Sequence, residues 1–176
     1  MATASHGNLW ENPLGTDGFE FIEYAAPDPL AMGRLFEQMG FTAVARHRAK
    51  NVLLYRQGNV NFIVNAEPNS FAQSFARVHG PSICAIAFRV GDAAKAFEQC
   101  VRNGAWGVEA HPGPMELNIP GIHGVGDTLL YFVDRYRDFS IYDVDFVALP
   151  GVDPYPPALA GMHYFGVVQS ILDDRT

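Results

Sequence analysis

The chain is short of cysteine, of charge, of basic residues and of long apolar runs, and each shortage excludes something. There are two cysteines in 176 residues, Cys84 and Cys100, and no CxxC spacing. Both lie in apolar periodic segments, so they read as buried thiols in a reducing compartment rather than as a disulfide framework or a zinc knuckle. Lys and Arg number 12 against 19 Asp and Glu, a formal net charge of -7. Such a surface repels phosphate backbones, so no nucleic-acid partner is expected. No apolar run reaches the roughly 18 to 20 residues that cross a bilayer, and no membrane role is expected. The opening MATASHGNLWENP lacks a basic region followed by an apolar stretch, so no secretory signal is read and the cytoplasm is the expected location. No GxxxxGK[ST] occurs, and GIHGVG at 121–126 lacks the strand-to-helix setting of a dinucleotide loop.

What is present is core-forming material: 48% of residues are hydrophobic. Residues 1–17 are polar and broken by Gly, Pro and Asn, and read as a flexible arm. FEFIEYAA, from Phe19, has the aromatic and β-branched character of a strand. Asp28 followed by Pro29 marks a helix start, and Leu30, Leu35, Phe36 and Met39 form its apolar stripe up to Gly40. Three strands follow, at 42–47, 52–56 and 60–65, the last two joined by a Gly58-Asn59 turn. A connector with helical character around 70–78 leads to a second strand, ICAIAFRV at 83–90. Asp92 then starts a second helix, Gly104 ends it, and strands are read at 106–110, 128–134 and 140–149.

The order of elements therefore repeats. Asp28 and Asp92, Gly40 and Gly104, and His47 and His111 each stand 64 apart, on matching element boundaries. That pattern predicts a duplicated βαβββ module. The expected architecture is α+β: two paired modules, at about 18–68 and 82–149, whose strands form one half-open barrel around a cavity, with helices outside. Residues 150–161 are rich in Pro and Ala and read as a linker. Beyond them, 162–176 begins with MHYFGVVQ, which reads as the first strand of a further, truncated module.

The paired module is the pattern of the vicinal oxygen chelate (glyoxalase-like) proteins. GPMELNIP, GIHGVGDTLLYFVDR and IYDVDF, with GFEFIEYAAPDP and RHRAKNVLLYRQGNVNFIVNAEP earlier, resemble the amino-terminal half of bacterial 4-hydroxyphenylpyruvate dioxygenases. The resemblance runs from Gly18 to Gln169. It implies an Fe(II) enzyme in which a carboxy-terminal barrel holds the metal with two histidines and a glutamate. It also implies a 2-oxo acid substrate that chelates the iron, O2 as co-substrate, homogentisate as product, and a homodimer or homotetramer. The amino-terminal barrel is then a metal-free scaffold. Phe21 and Ala85 stand where related modules carry a metal histidine, and neither side chain can bind iron. No catalytic or cofactor-binding residue is assigned within this chain.

His163 is the one metal ligand that the resemblance implies here. It matches the family's first iron ligand, although Met162 replaces the usual Asp before it, and Gln169-Ser170 stands where Asn-Val is common. Asp143 and Asp145, read as sharing a strand face, have no histidine partners and read as structural acids. His47, between Arg46 and Arg48, reads as part of a cationic edge. His79, His111 and His123 read as turn or loop residues, and Arg46, Arg48 and Lys50 as a solvated face. Two alternatives stay open: a 4-hydroxymandelate synthase of the same family, and a non-catalytic small-molecule-binding domain of the same fold.

Overall fold

A computed structural model describes residues 11–109 and 116–170. His111 and the start of GPMELNIP lie outside the described residues. The first module comprises β1 (Phe19–Ala25), α1 (Pro29–Gln38), β2 (Thr42–His47), β3 (Val52–Gln57) and β4 (Val60–Asn65). A connecting helix α2 (Phe71–His79) leads to the second: β5 (Ser82–Arg89), α3 (Ala93–Arg102), β6 (Gly121–His123) and β7 (Leu129–Val133). A short helix α4 (Ile141–Asp145) and strand β8 (Phe146–Ala148) follow.

The boundaries are set by local chemistry that repeats. Asp28 Oδ1 accepts from Ala31 N at 3.0 Å, and Asp92 Oδ1 accepts from Lys95 N at 3.0 Å. Each carboxylate satisfies a donor that the first helical turn leaves unpaired. Gly40 and Gly104, just past the two helices, adopt φ of 89° and 99°, a region in which a side chain would be strained. Gly58 turns the β3–β4 hairpin at φ 55°, and Gln57 pairs with Val60 across it.

All eight strands form one sheet in the order β6-β7-β5-β1-β4-β3-β2-β8. β1 and β5 lie antiparallel at its centre, and each has the last strand of its own module parallel on its other side. The two end strands, β6 and β8, are not paired with each other, so the sheet curves without closing. Period-two alternation divides its side chains between two faces. Ile22, Phe62, Val64 and Ile86 pack with Phe36 and Met32 of α1 on the outer face. Phe21, Val52, Leu54, Ile63, Ala87 and Phe146 form a separate cluster on the concave face, which Ile141 and Tyr142 of α4 join.

Two expectations are corrected. The apolar stripe on α1 is not its buried face: Leu30, Leu35 and Met39 are exposed, while Gly33 and Phe36 are buried. Gly33 lies so close to the Tyr55 hydroxyl that a Cβ there would collide with it, and this contact sets which side of the helix meets the sheet. Residues 140–149 are not one strand. Asp143 Oδ2 accepts from Ser140 N at 2.8 Å and from Ser140 Oγ at 2.9 Å, a capping arrangement that starts α4. The strand that remains, β8, pairs with β2 of the first module, through Arg46↔Val147. Met162–Gln169 joins no ladder, and Phe165 and Val168 are fully exposed. An isolated strand has no partner for its backbone groups and no face to bury.

Part of the segment read as a linker is fixed to the first module by hydrogen bonds. Arg56 Nη1 donates to Pro154 O at 2.8 Å, Gly58 N to Pro156 O at 2.9 Å, and Leu159 N to Gln57 Oε1 at 3.0 Å. These contacts lay residues 154–159 along the β3–β4 hairpin.

Candidate functional site

The concave face encloses a cavity of about 620 Å³. Its position follows from the topology. β1 contributes Phe21 and Glu23, β4 contributes Ile63 and Asn65, and β7 contributes Leu129 and Tyr131. On β5, between β1 and β7, the residues aligned with Glu23 and Phe21 are Ala85 and Ala87, both fully buried. Small residues there let the rings of Phe21 and Tyr131 approach to 6.2 Å between centroids. His47, Lys50, Glu116, Leu117, Asp145 and Phe146 form the opposite wall.

The polar groups in this cavity differ in how fully they are partnered. Glu23 Oε1 accepts from Asn65 Nδ2 at 2.8 Å. Burial pushes the Glu23 carboxyl above its usual range, against smaller opposing effects of the Asn65 hydrogen bond and of Lys50. His47 Nδ1 accepts from the backbone N–H groups of both Ala49 and Lys50, each at 3.1 Å. Burial pulls His47 below its ordinary value, although Glu116, Asp145 and Glu67 favour the cation. The bonding assigns Nδ1 as acceptor, so the neutral ring carries its proton on Nε2. Lys50 Nζ meets Glu116 Oε2 at 2.7 Å, and Asp145 Oδ1 accepts from Leu117 N at 3.2 Å. Burial also raises the Tyr131 hydroxyl, with Glu23 and Cys84 as lesser causes.

Several residues read from sequence as unremarkable surface have defined positions. His47 ends β2 and lines the cavity. His123 belongs to strand β6, not to a loop, and lies on the cavity rim. Arg48 donates through Nε to Val144 O at 2.7 Å and so ties the α4–β8 turn to the end of β2. His79 ends α2 and stacks on Phe75 at 4.2 Å. Cys84 is buried, Cys100 is partly exposed, and both are free thiols.

The site residue drawn from the resemblance, His163, lies away from this cavity. It is exposed, with Nδ1 3.0 Å from Gly161 O. Its neighbour Tyr164 is the one partly buried residue of the segment. The Tyr164 hydroxyl donates to Asn61 O at 2.7 Å and accepts from Asn61 N at 3.2 Å, and its ring lies 5.3 Å from that of Phe19. Asp143 is used in the α4 cap and Asp145 on the Leu117 amide, so neither presents a carboxylate to His163. Among the described residues no three His, Cys, Asp or Glu side chains group as metal donors. The described residues therefore do not fit an iron centre by themselves. No helix among them is long and apolar enough to cross a membrane.

Sequence reading missed Glu23, Asn65 and Tyr131. A usable signal was present: in FEFIEYAA, Glu23 shares the Phe21 face of an otherwise apolar strand, and an acid in that place needs a reason.

The sheet order, with two βαβ-type halves joined through antiparallel β1 and β5, defines a protein of the vicinal oxygen chelate class. A solved structure of the same architecture, a xylose isomerase-like TIM barrel/4-hydroxyphenylpyruvate dioxygenase fusion protein, matches with a TM-score of 0.69 and 34% identity, over 83% of this chain and 24% of that one. The chain belongs to the family described as Hydroxyphenylpyruvate dioxygenase, HPPD, N-terminal, which matches residues 10–147. The 4-hydroxyphenylpyruvate dioxygenase of Pseudomonas sp. (strain P.J. 874) is 53% identical over 150 residues, 85% of this chain and 42% of that protein. Hemolysin VllY of Vibrio vulnificus is 57% identical over 138 residues, 77% of this chain and 39% of that protein. The chain thus spans about two fifths of the length of these curated relatives.

Proposed function

We propose that this chain is the amino-terminal, metal-free scaffold portion of an Fe(II)-dependent dioxygenase that converts 4-hydroxyphenylpyruvate and O2 to homogentisate and CO2 in tyrosine catabolism. The observation that carries the proposal is the family match over residues 10–147, together with 53% identity to a protein of that name. In this reading the full-length enzyme is a cytoplasmic homodimer or homotetramer. His163 supplies one of its iron ligands, and a second histidine and a glutamate come from sequence that follows.

Two structural features support this division of labour. The concave cavity of the paired modules is lined by Glu23, Glu109, Glu116 and Asp145, with Lys50 as the one Lys or Arg among its described lining residues. That lining disfavours a 2-oxo acid anion, so the substrate belongs elsewhere. Tyr164 is fixed to Asn61 in β4, which gives the chain a set point of departure beside His163.

The test compares the 176-residue chain with a chain extended to the length of the relatives. Iron content and homogentisate production are measured in both. Iron and turnover in the extended protein only, both lost in His163→Ala, are the expected result. Stoichiometric iron and homogentisate from the 176-residue chain would overturn the scaffold reading. Production of 4-hydroxymandelate by the extended protein would overturn the assignment of ring attack and favour the synthase.

A further inference from the structure

We propose that the concave cavity is a binding site for a small organic cation: a primary ammonium group carried on an aromatic or branched apolar body, with the ammonium seated between Glu23 and Tyr131. This goes beyond the scaffold role and does not depend on it.

The size is suitable. About 620 Å³ lies within the roughly 300 to 1,000 Å³ that ligand sites usually occupy. The walls are largely apolar, from Phe21, Val52, Ile63, Leu129 and Phe146, which suits a hydrophobic body.

Two polar atoms are left over at the β1–β7 side. Asn65 satisfies Glu23 Oε1, but Glu23 Oε2 has no hydrogen-bond partner among the described residues, and neither has the Tyr131 hydroxyl. Glu23 and Tyr131 lie on the same face, on strands separated only by β5, whose alanines leave room above them. The strands thus present one free acceptor of high charge density and one free hydroxyl at the apolar end of a cavity. Glu23 is half-buried, so its free oxygen faces the cavity with reduced access to water, and a donor there makes a charge-assisted hydrogen bond. An ammonium group supplies three donors and a compensating charge.

Charge selects the cation over other donors. Four carboxylates line the cavity. The one Lys or Arg among its described lining residues, Lys50, already meets Glu116 at 2.7 Å. Burial disfavours the His47 cation, and its Nδ1 accepts from two backbone N–H groups. The aromatic faces of Phe21 and Tyr131, 6.2 Å apart between centroids, add attraction for a cation at short range.

The experiment is calorimetric titration of the 176-residue chain with three probes of similar size: tyramine, neutral 4-ethylphenol and anionic 4-hydroxyphenylacetate. Tyramine is expected to bind roughly tenfold tighter than either of the others, the value of a charge-assisted hydrogen bond. Glu23→Gln keeps the shape and the Asn65 contact but loses the charge, and is expected to remove most of that preference. Tyr131→Phe is expected to weaken tyramine severalfold. Absence of tyramine binding at millimolar concentration would overturn the proposal. So would equal or tighter binding of the neutral or anionic probe, or tyramine binding unchanged in Glu23→Gln. If either variant fails to fold, nuclear Overhauser contacts in the wild-type chain decide the matter. Contacts from the tyramine ring to Phe21 and Leu129 support the site, and their absence with bound tyramine overturns it.

Discussion

Ile22 of β1 lies directly opposite Ile86 of β5, so the residue at the centre of the sheet pairs with its own counterpart 64 positions on. The neighbouring pairs obey the same relation: Phe21 faces Ala87 and Glu23 faces Ala85. Each pair becomes the other when 64 is added to its first residue and taken from its second. A local two-fold axis therefore passes between Ile22 and Ile86, and the two modules meet there as an antiparallel pair. On β4 and β7 the correspondence has moved to 68, because Ile63 partners Glu23 as Tyr131 partners Ala87.

Both isoleucines are almost fully buried in the same outer-face cluster. Ile22→Ala and Ile86→Ala should each cost about 2 to 5 kcal/mol. Because the two touch, the double variant should depart from the sum of the single losses by about 0.5 kcal/mol or more. Urea titration of the four proteins measures this, and strict additivity would show that the axis residues are not energetically paired.

His47 predicts a pH dependence. Its native value lies below the ordinary 6.5, mainly through burial. The unfolded chain then binds a proton more readily than the folded one as pH falls. The stability contributed by neutral His47 is present above pH 6.5 and is lost as pH falls below it. In His47→Asn, the amide oxygen can still accept from Ala49 and Lys50 but does not titrate. Thermal unfolding of this variant should depend less on pH below 6.5 than that of the wild type. An unchanged slope would remove His47 from the account.

The elements that sequence made legible are those governed by neighbours in the chain. Asp28 and Asp92 cap helices three residues away, Gly58-Asn59 turns a hairpin on itself, and the 64-residue offset follows from such local signs. The reading of Ser140–Leu149 as one strand failed because its β-branched content outweighed a local sign, Ser140 followed three positions later by Asp143. Other misses were not local at all. The buried face of α1 depends on Tyr55 meeting Gly33, and the position of β8 depends on β2, about a hundred residues earlier. The cavity exists only where β1, β4 and β7 converge, so Glu23 looked like any acid in a strand until Asn65 and Tyr131 stood beside it.

Glu23 predicts a stability change of the opposite sign to most acid deletions. Burial raises its native carboxyl above the ordinary 4.5, so the folded chain holds the proton to higher pH than the unfolded one. Stability is then lost as pH rises from 4.5 through the native value. Glu23→Gln removes that loss and keeps an acceptor for Asn65. It should melt above the wild type at neutral pH, with the difference vanishing below pH 4.5. A melting temperature below that of the wild type at pH 7 would show that the charged form is stabilised by its surroundings.

Tyr164 is the remaining test, because it joins the paired modules to the segment that carries His163. Its hydroxyl serves both backbone groups of Asn61, donating at 2.7 Å and accepting at 3.2 Å, just before the β1–β4 ladder begins at Phe62. Tyr164→Phe keeps the ring against Phe19 but leaves an N–H and a C=O of Asn61 without that partner. A loss of about 1 to 3 kcal/mol follows, the usual consequence of leaving a partly buried backbone group unsatisfied. The effect should be local: hydrogen exchange at the Asn61 amide should accelerate while that of Ile22 and Ile86 changes little. Asn61 exchange unchanged in Tyr164→Phe would mean that the hydroxyl does not hold the segment, and that His163 owes its place to something else.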